Sequence, residues 1–147
     1  VLEDLLKEAW KKRDRTFLFL IPPEKYARQR AFVDELRPAV TIVDWRANFL
    51  QSVLPKQRYL NLTVQSELSR LKDLSVQHKN KYLCMINTEY ALMRFKPDER
   101  ETFWRGLWTD FPYSDSVIIY TVLNTLELLP QRVEFEQWEA NGRVLCP

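Results

Sequence analysis

Glycine is scarce in this chain: Gly106 and Gly142 are the only two among 147 residues. A cradle of backbone N–H groups around a phosphate needs several glycines in one tight turn, and no Gly-Lys-Ser or Gly-Lys-Thr occurs anywhere. An intact nucleotide-gripping loop is thereby excluded. Cysteine is almost as rare. Cys84 sits inside an apolar run and Cys146 is the penultimate residue, so a disulfide framework is excluded and a reducing, cytoplasmic setting is expected. The single histidine, His78, lies between Gln77 and Lys79 with no partners at the spacing of a zinc site or a Ser-His-Asp triad, and it reads as an incidental exposed residue. Net charge is only +2, which argues by itself for neither a nucleic acid nor a membrane partner. No apolar run approaches the ~20 residues that span a bilayer, and no signal-peptide pattern follows Val1.

What is present is an ordinary globular composition, 46% hydrophobic and 29% charged, which argues against disorder. A chain of 147 residues is expected to form a single domain, 1–147, burying roughly 70% of its unfolded surface. The organising stretch is Lys81–Phe95, KYLCMINTEYALMRF. Tyr82–Ile86 is an unbroken apolar run suited to a strand buried on both faces. It ends in Asn87, Thr88 and Glu89, at the carboxyl end where open α/β sheets place ligands. A second run, Ser116–Val122, follows one helical interval later and leads to Asn124, Thr125 and Glu127. Asn87, Thr88, Glu89 and Asn124 are therefore the candidate strand-tip site.

Elsewhere the pattern predicts a helix over residues 1–13, a strand at Arg15–Ile21 stopped by Pro22 and Pro23, and a helix carrying Tyr26, Phe32, Val33 and Leu36. Strands are expected at Val40–Trp45 and Arg58–Leu62, and helices at Ala47–Leu54, 64–74 and 98–109. Val76–Asn80 reads as a polar loop. The tail Val133–Cys146, with Asn141-Gly142 as its turn, reads as a terminal β-hairpin. The whole predicts an α/β, three-layer domain: a mainly parallel sheet with helices on both faces.

Strand, turn and helix at 17–36, followed by a buried strand with a polar tip at 82–89, resemble the layout of P-loop NTPases. On that resemblance the first unit would hold the phosphate loop, Asn87-Thr88-Glu89 the acidic metal-binding tip, and Ser116–Asn124 the next strand with its polar sensor. The segments IPPEKYARQRAFVDELRPAVTIVDW (21–45) and YLNLTVQSELSRL (59–71) resemble small accessory proteins of BREX-type phage-defence operons, some of them degenerate P-loop domains. The departures are chemical. Pro22 and Pro23 have no N–H to offer a phosphate, and Asn87 is neutral where a carboxylate is wanted.

The expected role is thus a non-catalytic accessory or adaptor subunit, without cofactor or bound metal, working with a larger protein partner and open to self-association. Two other readings compete. One is a nucleic-acid-binding module in which Lys11, Lys12, Arg13, Lys25 and Arg28, with Arg15 and Arg30, form one phosphate-contacting patch. The other is a metal-dependent nuclease or phosphoryl-transfer enzyme with Asp44, Glu67 and Glu89 meeting above the sheet, although Asp44 also suits the cap of the next helix. Five tryptophans and eight phenylalanines exceed what a small core readily holds, so at least one is expected to face a partner. Trp104 and Trp108, four apart on the helix 98–109, are the candidate interface.

Overall fold

Three continuous apolar segments set the architecture, because such strands are stable only where both faces are covered. In the computed structural model, which describes residues 2–52 and 62–147, they are β1 (Thr16–Ile21), β3 (Tyr82–Ile86) and β4 (Val117–Leu123). With β2 (Thr41–Asp44) and β5 (Val144–Leu145) they form a five-stranded sheet in the order β2-β3-β4-β1-β5, every pair parallel. The apolar runs occupy the middle. All six residues of β1 are buried, whereas all four of β2, on one edge, are only half-buried. The other edge, β5, is two residues long, and so short a strand offers little backbone to a foreign chain.

Alternation along the strands feeds two cores. Phe17, Phe19, Ile21, Cys84, Ile86 and Ile119 face one side, against Leu6 of α1 (Leu2–Glu8) and Val33 of α2 (Gln29–Asp34). Leu18, Leu20, Met85, Ile118, Tyr120 and Val122 face the other, with α3 (Trp45–Ser52), α4 (Val64–Gln77), α5 (Glu89–Leu92), α6 (Pro97–Thr109) and α7 (Arg132–Ala140). The three-layer α/β arrangement is therefore present, with a sheet parallel throughout. None of the helices among the described residues is long and apolar enough to cross a membrane.

The tail departs from expectation. Its first part is the helix α7, not a hairpin strand, and its last part, β5, pairs in parallel with β1. Asn141-Gly142 ends the helix. Gly142 adopts φ +67°, its N–H donates to Glu139 O at 3.0 Å, and the Arg143 N–H donates to Trp138 O at 2.9 Å. These two bonds and the left-handed glycine make a Schellman cap, a role that Asn-Gly fills as readily as a hairpin turn.

α4 also runs further than its apolar pattern suggests. A Thr63–Ser66 capping box starts it, with Ser66 N to Thr63 Oγ1 at 3.0 Å and Thr63 N to Ser66 Oγ at 2.9 Å. It continues through Gln77 because Leu74 and Ser75 extend the buried stripe, and Ser75 Oγ accepts from the Ser116 N–H at 3.1 Å. His78 follows as its half-buried cap residue, not as part of a loop from Val76. The strand expected at Arg58–Leu62 lies outside the described residues except for Leu62, as does the end of the Ala47–Leu54 helix.

Candidate functional site

The carboxyl ends of β1, β3 and β4 come together, and the chain leaving β1 folds over them. Pro23 opens a 3-10 helix, Pro23–Arg28, that leads into α2; a proline suits a first turn because its missing N–H needs no partner there. This segment turns Tyr26 and Gln29 back toward the tip of β3. Asn87, the residue after that strand, takes a left-handed φ of 58°, which asparagine tolerates better than most residues. Gln29 then grips it twice: Gln29 Nε2 donates to Asn87 Oδ1 at 2.8 Å, and Gln29 Oε1 accepts from the Asn87 N–H at 3.0 Å. The Tyr26 hydroxyl donates to Glu89 Oε2. Burial, reinforced by that bond, holds the Tyr26 phenol well above its ordinary pKa, so it remains a donor.

Beneath them Thr88 is buried and its hydroxyl donates to the Thr121 carbonyl of β4. Thr121 Oγ1 lies 3.3 Å from Cys84 Sγ, and burial pushes that thiol up to about 12, out of reach as a thiolate nucleophile. Asn124 joins only through its backbone, donating to Ile21 O at 2.9 Å, while its side chain is exposed. Of the four expected tip residues, Asn87, Thr88 and Glu89 are thus gathered and Asn124 stands beside them. Asn87 Oδ1, Glu89 Oε2 and the Thr88 hydroxyl are engaged by Gln29, Tyr26 and Thr121. Gln29→Ala is expected to cost about 1–3 kcal/mol of stability, measured by urea unfolding, because it strands the Asn87 amide in a half-buried position.

The basic residues do not form one patch. Lys11, Lys12 and Arg13 precede β1, while Lys25, Arg28 and Arg30 follow it. Six extended residues put the groups roughly 20 Å apart, at opposite ends of β1. Arg15 is occupied structurally. It donates to Ser114 O at 2.8 Å and Trp10 O at 2.7 Å, with its guanidinium over the Trp10 and Tyr113 rings.

The three carboxylates are also kept apart by their partners. Asp44 Oδ1 caps α3, accepting from Arg46 N at 3.0 Å and Ala47 N at 3.4 Å. Glu67 is buried and bonded to Trp45 and Arg70, and Glu89 is held by Tyr26. Among the described residues no group of three or more His, Cys, Asp or Glu is placed to hold a metal ion.

On α6 the expected exposed indole pair is absent. Trp104 is only 1% exposed, whereas Trp108 is half-buried and packs edge-on against Trp138 at 4.8 Å between centroids. Both border a surface cavity of about 380 Å³ between α6 and α7.

No family model matches the chain, and no curated protein or solved structure matches it significantly. Sequence reasoning missed Gln29, Thr121, Arg70 and Arg143. Gln29 and Arg70 carry a faint signal, as each falls at helical spacing beside an apolar stripe. For Arg143 there is none.

Proposed function

We propose that this chain is a non-catalytic accessory subunit on a degenerate P-loop-type fold, working as an adaptor for a larger protein partner, in the manner of the phage-defence accessory proteins that segments 21–45 and 59–71 resemble. The closed strand tip carries the reading. Where the resemblance puts a phosphate loop, the segment after β1 begins with two prolines and sends Tyr26 and Gln29 onto Glu89 and Asn87. Asn87, Thr88 and Glu89, which would meet a nucleotide and its metal, are each tied to a neighbouring residue of the fold. The parallel sheet, with β1, β4 and β3 adjacent, is in keeping with the layout.

A nucleic-acid-binding role draws less support, since its lysines and arginines are divided between the two ends of β1. Leu126 at 96% exposure and Val133 at 70% are the surface apolar groups best placed for a protein contact, because large apolar side chains left in water often mark partner surfaces. The expected calorimetric result for ATP with Mg²⁺ is no saturable heat. Micromolar, Mg²⁺-dependent binding that weakens in Gln29→Ala would replace this reading with a working nucleotide site.

A further inference from the structure

At the amino ends of the strands, opposite the closed tip, Arg143 is only 4% exposed yet forms no ion pair among the described residues. Its Nε donates to Thr16 O at 2.9 Å, and its Nη2 donates to Thr16 Oγ1 and, at 3.3 Å, to Trp108 O. The guanidinium stacks 4.0 Å from the Trp108 centroid and 4.4 Å from that of Trp138. These contacts fix its position and leave Nη1 without a hydrogen-bond partner among the described residues. A cavity of about 280 Å³ opens beside it, walled also by Lys12, Arg13 and Asp14. Burial pushes the Arg143 pKa down to about 10, so it is still charged at neutral pH.

A buried cation is costly unless it is balanced, and the carboxylate whose charge acts on Arg143, Asp14, makes no ion pair with it among the described residues. Lys12 and Arg13 carry exposed side chains with no ion pair among the described residues, and Asp14 is the one carboxylate in the wall. Three cations against one anion leave an excess that matches a doubly charged oxyanion. A guanidinium anchored through its other two nitrogens, with Nη1 left over, is also a directional donor for such a ligand.

We propose that this cavity binds a phosphate group, with Arg143 as the fixed donor and Lys12 and Arg13 as the mobile ones. The site is independent of the closed tip, about one strand length away, so its failure would leave the adaptor reading standing.

Titration calorimetry with inorganic phosphate at low ionic strength is the direct test, using the intact chain. The expected result is a saturable one-site isotherm, weakened at least ~10-fold in Lys12→Ala/Arg13→Ala, a loss of about 1.4 kcal/mol or more. Those side chains are exposed, so the variant should melt like the parent. Arg143→Lys keeps the charge but has no counterpart of the anchored Nη1 donor, and it is expected to weaken phosphate binding while leaving a folded protein. Lys25→Ala/Arg28→Ala, at the far end of β1, should bind as the parent does. Absence of saturable binding, unchanged affinity in Lys12→Ala/Arg13→Ala, equal affinity for acetate, or loss in Lys25→Ala/Arg28→Ala would each overturn the assignment.

Discussion

Replacing Arg70 with alanine is expected to destabilise the domain by about 3–5 kcal/mol at neutral pH, the range for removing one partner of a buried ion pair. Glu67 is fully buried in the core between α4 and the sheet. Its Oε1 accepts from Trp45 Nε1 at 2.8 Å and its Oε2 from Arg70 Nη2 at 2.5 Å. Arg70 reaches this carboxylate across the Trp45 and Phe49 rings, 4.7 and 5.1 Å from their centroids. Without it the carboxylate keeps only neutral neighbours, the Trp45 N–H and the Tyr120 hydroxyl.

The pH dependence carries a definite sign. Burial raises the Glu67 pKa above its ordinary value, and Arg70 pulls it back only in part. A carboxyl with a raised folded pKa binds its proton more tightly when folded. Its contribution is therefore fully present below the unfolded value of about 4.3 and is lost as pH rises through the folded value. Stability should fall over that interval in the parent and fall further in Arg70→Ala. Glu67→Gln, which keeps the acceptor for Trp45, should flatten both profiles. Urea unfolding across the acid-to-neutral range provides the measurement. A neutral-pH loss under about 1 kcal/mol in Arg70→Ala would mean that the pair is not holding this core.

That pair also shows where sequence reading stops. β1, β3 and β4 are legible because a continuous apolar run has few other places to go, and their polar ends mark the tip of the sheet without further information. What closes the tip is not legible. Tyr26 and Gln29 reach residues 58 or more positions away, and no local pattern encodes which side chain will meet which. Glu67 follows the same logic: it lies at helical spacing with Val64 and Leu71, and only the tertiary placement of Trp45 and Arg70 turns a surface-like residue into a buried one. Asn141-Gly142 misleads for a local reason, since a left-handed glycine serves a helix cap and a hairpin equally well. The basic cluster misleads for a geometric one. Residues close in sequence on either side of a strand end up a strand length apart.

Trp104→Ala is expected to cost about 3–5 kcal/mol of folding stability, in the range for emptying a large aromatic site in a packed core. The indole meets Tyr120 of β4 edge-on at 5.9 Å and Phe103 at 5.2 Å, so its removal opens a void between α6 and the sheet. Its Nε1–H donates to Leu128 O at 3.0 Å, which ties the connection between β4 and α7 to α6. Alanine leaves that buried carbonyl without this donor as well. Trp108, one turn further along, is half-buried against Trp138 and Arg143. If α6 is the surface that meets a partner, Trp108→Ala should weaken association while preserving most of the stability. The two variants therefore report on different things, and chemical unfolding run beside an association measurement separates them. A Trp104→Ala protein as stable as the parent but unable to associate would place Trp104 at the interface and remove it from the core.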